Sequence, residues 1–118
     1  ALERRGGEIL AAIWPCPYGE LDLVAATDTH VRFIEVKTRS SARYMEAREA
    51  VDTAKQHKII LSAQCWLMEH QSEQRQPCFD GPEEERKPVF DVAEVYVSGE
   101  RHTIRYYANA FDTEEGTE

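Results

Sequence analysis

Two neighbouring stretches change polarity at every second residue, a period that a β-strand satisfies and a helix does not. Gly19 to Ala25 sets Glu20, Asp22 and Val24 against Leu21, Leu23 and Ala25, so it predicts a strand with one apolar face. Val31 to Thr38 sets Val31, Phe33, Glu35 and Lys37 against Arg32, Ile34, Val36 and Thr38. Thr27-Asp28-Thr29 lies between them as a turn, and the two runs form an antiparallel hairpin. An apolar run from Glu8 to Trp14, stopped by Pro15 and Pro17, predicts a strand before the hairpin. Val89 to Val97 and Thr103 to Tyr107, separated by Ser98-Gly99-Glu100-Arg101, predict two strands near the other end.

The period changes in the middle of the chain. Asp52 or Thr53 can cap a helix that runs to about His70, along which Ile59, Ile60, Ala63, Trp66 and Leu67 recur at helical spacing. These are core residues rather than a binding stripe. The order is strands, helix, strands with no internal repeat, which predicts an α/β fold: a mixed sheet packed on the Ala54–His70 helix through Ile59, Ala63 and Trp66 or Leu67. Ser40 to Val51 reads as a polar, basic loop or a turn of helix, and Gln71 to Pro88, with Glu83-Glu84-Glu85, as an exposed loop without a chemical role.

A chain of 118 residues suits one domain, placed at residues 1–111, with an acidic, disordered tail at 112–118. No apolar run approaches the roughly 20 residues that span a bilayer, and Ala1-Leu2-Glu3-Arg4-Arg5 lacks the apolar stretch of a signal peptide. Cys16, Cys65 and Cys78 make an odd count without a C-x-x-C pair, so they read as free thiols in a reducing compartment. The expected location is the cytoplasm. His30, His57, His70 and His102 lack the paired spacing of a zinc site and read as surface or capping residues.

A formal net charge of -8 counts against a nucleic-acid partner, but its distribution changes that. Between Arg32 and Lys58 there are seven basic residues (Arg32, Lys37, Arg39, Arg43, Arg48, Lys55 and Lys58) against four acidic ones (Glu35, Glu46, Glu49 and Asp52). The tail from Asp112 to Glu118 carries four carboxylates of its own, so the global charge says little about the central surface. The competing reading is an ordinary solvated charged face.

The chemistry concentrates in the hairpin. Asp22 and Glu35, on adjacent strands, together with the backbone carbonyl of Val36, suit Mg²⁺ or Mn²⁺ and leave positions for water and a phosphate oxygen. Glu20 shares a face with Asp22 and can complete the coordination directly or through water. Lys37 is placed to orient or help deprotonate an attacking water and to balance charge in the transition state. Arg39, Arg43, Lys55 and Lys58 are the expected contacts to a phosphate backbone. By itself a carboxylate followed by E-x-K is a weak signal, because solvated strand edges often carry Glu and Lys.

Several blocks carry a resemblance: Gly19-Glu20-Leu21-Asp22-Leu23-Val24-Ala25, Phe33-Ile34-Glu35-Val36-Lys37-Thr38-Arg39, Lys55-Gln56-His57-Lys58, Ala63, Trp66-Leu67, Phe90-Asp91-Val92 and Asn109-Ala110-Phe111. In this order, over nearly the whole chain, they resemble the YraN-type family of small bacterial proteins. That family is regarded as endonuclease-like, related to Holliday-junction resolvases and the PD-(D/E)-x-K nucleases, and the resemblance implies a restriction-endonuclease-like fold with helices flanking the sheet. It further implies that Asp22 is the first metal aspartate, Glu35 the second acidic ligand and Lys37 the lysine. Family members usually begin with a full helix bearing another acidic residue, whereas Ala1-Leu2-Glu3-Arg4-Arg5 resembles that helix's end. The Gln71–Pro88 loop resembles an insertion.

Two functions are open at this stage. One is a Mg²⁺- or Mn²⁺-dependent nuclease on DNA, branched or junction DNA included, acting without a membrane and with a homodimer as one option. The other is a nucleic-acid- or protein-binding module that keeps the fold without useful catalysis. Phe90 is expected in the core, and Asp91 in a structural role satisfying backbone donors or a basic partner.

Overall fold

A computed structural model describes residues 7–39, 51–70 and 86–112. Among the described residues, five strands form one sheet: β1 (Glu8–Cys16), β2 (Gly19–Ala26), β3 (His30–Arg39), β4 (Lys87–Ser98) and β5 (Arg101–Phe111), neighbours in that order. The helix α1 (Thr53–Glu69) lies between β3 and β4 in the chain. β3 and β4 are parallel, and every other pair is antiparallel. The mixed sheet follows from the chain order, because hairpin turns reverse direction whereas the longer connection through α1 allows it to be kept. Among the described residues, no helix is long and apolar enough to cross a membrane.

The helix starts where a cap is available. Asp52, in extended conformation, accepts the Lys55 N–H at 2.8 Å, and Gln56, buried in the first turn, donates through Nε2 to the Val51 carbonyl at 2.8 Å. Ile59, Ile60, Ala63 and Trp66 are buried, with Leu67 partly buried against them. His70 ends the helix by donating its backbone N–H to the Trp66 carbonyl, and its ring stacks on Trp66 at 4.4 Å. A capping role for this histidine matches the expectation.

The rings run on from the helix into the sheet. Phe33 meets Trp66 edge-on at 5.9 Å and stacks on Phe90 at 5.6 Å, and Phe90 stacks on Phe111 at 5.3 Å. Phe33 and Phe90 are register partners on the parallel strands, so one face of β3 and β4 carries both. Leu21, Val24, Val31, Val51 and Val92 complete the cluster.

The structure differs from the sequence expectation at element ends and at one interior point. β1 runs through Pro15 to Cys16, tolerable because β1 is an edge strand and a missing N–H there breaks no ladder on its outer side. β4 begins at Lys87, inside the segment read as loop, because Lys87 and Pro88 pair with His30 and Val31 and the Lys87 N–H reaches the Thr29 carbonyl at 2.9 Å. β5 continues past Tyr107 to Phe111 across a bulge where Asn109 has a φ of 52°, a conformation asparagine tolerates. The β4–β5 turn needs only Gly99 and Glu100, with Gly99 at a φ of 61° that suits glycine.

At the interior point, Leu21 and Val24 both enter the one core cluster, although strict alternation sets them on opposite faces. Three features coincide there. The recorded β2–β3 partners stop at Leu23↔Ile34, Asp22 sits between the two core residues, and Ile13, opposite Asp22 in the β1–β2 register, has a φ of 51°. A β-branched residue at positive φ is strained by about 1–3 kcal/mol. The hairpin therefore departs from a regular pleat at the carboxylate. Of the other sequence assignments, residues 40–50, 71–85 and 113–118 lie outside the described residues, while Val51, in the bend before the helix, is buried in the core at 1% exposure.

Phe33→Ala removes the ring held between Trp66 and Phe90 and leaves a cavity under the helix. Urea unfolding is expected to show a loss of about 3–5 kcal/mol, against less than about 0.5 kcal/mol for Met68→Ala on the exposed side of α1.

Candidate functional site

Glu35 lies two residues beyond Phe33 on the same face of β3, so the packing that fixes the phenyl ring also fixes the carboxylate. It is 6% exposed. The register that pairs Leu23 with Ile34 brings Asp22 opposite Glu35 at the next position. Asp22 accepts the Val36 N–H on Oδ2 at 2.8 Å, a side chain standing in for a ladder partner where the β2–β3 pairing ends. Burial lifts the Glu35 carboxyl above its ordinary range, and the Asp22 charge beside it lifts it further. Lys55 and Lys37 pull it back only in part.

Both lysines converge on one atom. Lys37 Nζ and Lys55 Nζ each stand 3.7 Å from Glu35 Oε1. That distance is an ion pair but too long for a good hydrogen bond. Lys37 comes from the same strand face as Glu35, and Lys55 from the first turn of α1, where the Asp52 cap sets its position. Lys55, read from sequence as a phosphate contact, is therefore an immediate neighbour of the carboxylate. Lys58, one turn further along α1, is exposed.

Other expected site residues have separate surroundings. Arg39 donates through Nε to Glu94 Oε2 at 3.0 Å, and Glu94 is fully buried. Arg43 lies outside the described residues. Glu20 is exposed and pairs with Pro15 next to the β1–β2 turn. Val36, expected to offer its carbonyl, is seen contributing its N–H to Asp22. Asp91 is fully buried and filled: Arg32 Nη1 donates to it at 3.0 Å, the Asn109 N–H at 2.8 Å, and the Tyr106 hydroxyl also donates. That is the structural role expected of Asp91, and Phe90 is in the core at 3% exposure.

Glu94 was missed by sequence reasoning. The signal was present, because Phe90, Val92 and Glu94 alternate on one face and Glu94 is the register partner of Lys37. Its pairing with Arg39 spans 55 residues of chain and is invisible to local periodicity.

Asp22 and Glu35 suit a hard divalent cation. Mg²⁺ is commonly held through one or two carboxylates with water in its other positions, and Glu35 lies beside a like charge that its lysines offset only in part. Among the described residues, no three His, Cys, Asp or Glu side chains are grouped at one point.

The chain is similar to proteins from distant bacteria. It is 35% identical over 113 residues to a UPF0102 protein of Caldanaerobacter subterraneus subsp. tengcongensis, covering 93% of this chain and 84% of the relative. It is 38% identical over 113 residues to one of Thermosynechococcus vestitus, covering 93% and 83%. It is 34% identical over 111 residues to one of Myxococcus xanthus, covering 94% and 79%. The family model matches residues 1–95, a span that includes β1, the hairpin with Asp22, Glu35 and Lys37, helix α1 and Glu94. The chain belongs to the uncharacterised protein family UPF0102, the family of the YraN-type resemblance.

Proposed function

We propose that this chain is a divalent-metal-dependent nuclease that hydrolyses DNA phosphodiester bonds, branched or junction DNA among them, on a restriction-endonuclease-like fold. The observation that carries the reading is the imbalance at Glu35: a buried carboxylate beside Asp22, with two ammonium groups no closer than 3.7 Å. Asp22 and Glu35 would hold Mg²⁺ or Mn²⁺, which supplies Lewis-acid polarisation of a phosphodiester oxygen and a water of lowered pKa. Lys37, a third exposed, orients the attacking water and offsets negative charge that grows on the phosphoryl oxygens. Lys55 shares that electrostatic role from the helix side, and Lys58 adds a contact to the phosphate backbone. The second reading, a binding module without turnover, is favoured by one observation, that no third metal-type side chain joins the pair among the described residues.

Cleavage of duplex, flap, junction and single-stranded DNA, with and without Mg²⁺ or Mn²⁺, separates the two. Glu35→Ala is expected to lose metal binding and nearly all cleavage. Lys37→Ala keeps metal binding, measured by calorimetry, and slows cleavage by on the order of 10²-fold. No metal-dependent cleavage of any substrate, or full activity in Glu35→Ala, selects the binding module.

Glu35 also predicts a pH dependence. The folded chain retains the Glu35 proton at pH values where the unfolded chain has released it. Without metal, stability therefore falls as pH rises from the ordinary glutamate range through the raised value, and stays lower above it. Glu35→Gln is expected to raise the metal-free melting temperature at mildly alkaline pH and to erase the increase that Mn²⁺ gives the wild type there. A wild-type melting temperature indifferent to Mn²⁺ across that range would count against the site.

Arg39 serves Glu94 in this scheme rather than DNA. Arg39→Ala leaves a buried charge without its partner, and chemical denaturation should show a loss of about 3–5 kcal/mol. Adding Glu94→Gln should recover part of it. A variant that is stable yet weak in DNA binding would return Arg39 to the phosphate contacts.

A further inference from the structure

Two of the three cysteines, far apart in sequence, meet at the end of the β1–β2 hairpin. Cys16 ends β1, and its Sγ donates to the Ser62 Oγ of α1 at 3.2 Å. Ser62 is buried, and Cys65 follows it by three residues, on the same side of the helix. Cys65 therefore stands beside the Cys16–Ser62 contact, close enough for the two thiols to act on each other electrostatically. Both are half-buried, so a small solute can reach them while bulk reagents are hindered. We propose that Cys16 and Cys65 form a redox-active dithiol that hydrogen peroxide, or another small hydroperoxide, converts into an intramolecular disulfide tying β1 to α1.

The two thiols are placed for different roles. Burial pushes the Cys16 thiol up, but its interactions with Ser62, with the Tyr18 and Gly19 backbone and with Cys65 together bring it below the ordinary thiol range. Burial pushes Cys65 up, and the charges of Cys16 and Glu69 push it further. Cys16 is thus the attacking sulfur and Cys65 the resolving one. The Cys16 thiolate attacks one peroxide oxygen, an S–O bond forms, the O–O bond breaks, and the departing hydroxide takes up the proton that Cys16 released. The Cys65 sulfur then attacks the sulfenic sulfur, an S–S bond forms, the S–O bond breaks, and hydroxide leaves with the Cys65 proton as a second water. Two thiols lose two electrons and two protons, and one peroxide becomes two waters. Neither Asp22 nor Glu35 takes part, so the proposal stands independently of nuclease activity.

The test uses the full chain carrying Cys78→Ser, because Cys78 lies outside the described residues and would otherwise compete. Hydrogen peroxide is expected to consume both remaining thiols, remove two hydrogens from the intact mass and give a Cys16–Cys65 linked peptide, all reversed by a thiol reductant. Adding Cys65→Ser should stop the reaction at a sulfenic acid on Cys16 that dimedone traps, and the linked form should melt at higher temperature than the reduced form. Oxidation of the two cysteines independently to sulfinic acids, or disulfides only between separate chains, would overturn the proposal. So would a wild-type chain in which Cys78 alone pairs with either one.

Discussion

Phe33 is held on two sides, by the edge of Trp66 at 5.9 Å and the face of Phe90 at 5.6 Å, so β3 cannot turn about its axis without losing both. The lock is worth more than the area it buries. A β-strand repeats every two residues, so fixing Phe33 also fixes Glu35 and Lys37 on the same face. The two residues that carry charge into the site are thus placed by an apolar contact nearby, and Val24 and Trp66 supply it from β2 and α1. A slip of one residue would put Glu35 and Lys37 together on the opposite face, away from Lys55 and Asp22.

The three buried carboxylates of β3 and β4 are compensated very differently. Asp91 receives a guanidinium, a backbone N–H and a hydroxyl, and Glu94 receives the Arg39 Nε at 3.0 Å. Glu35 receives two ammonium groups at 3.7 Å and a second carboxylate beside it. Guanidinium groups make directed, short contacts, whereas lysine is a mobile point charge on a flexible stem. The fold thus uses arginine where a charge must stay buried and quiet. It leaves lysine at the carboxylate that an incoming cation would have to share. The contrast lies within one sheet face for Glu94 and Glu35, so burial alone does not account for it.

The sequence made the hairpin and the Glu35–Lys37 face legible because both depend on a period of two within a few residues. The helix was legible for the same reason at a different period, and Asp52 announced its start. The break between Leu21 and Val24 was not legible, because alternation assumes a regular pleat and the strand departs from one at Asp22. The Arg39–Glu94 pair was not legible either, since nothing local to Arg39 reveals Glu94 across 55 residues. Cys16 and Cys65 are free thiols as expected, but the contact that brings Cys16 to the helix at Ser62, 46 residues on, was not legible. The β4 start was misplaced because Pro88 looks like a terminator in isolation, whereas its parallel pairing with Val31 recruits it.

The cap on α1 connects these elements to the chemistry. Asp52 fixes the Lys55 N–H at 2.8 Å, so the first turn begins at a definite residue and each later side chain takes an azimuth set by that start. A start one residue later would turn every side chain by about 100°, carrying Lys55 away from Glu35 and Trp66 away from Phe33 together. Apolar packing and the second ammonium group therefore demand the same helix register. That agreement explains how a polar cap at the helix end can matter to a site built mainly on β2 and β3. The helix reaches Glu35 with Lys55 and Phe33 with Trp66, and the strand period joins those two targets.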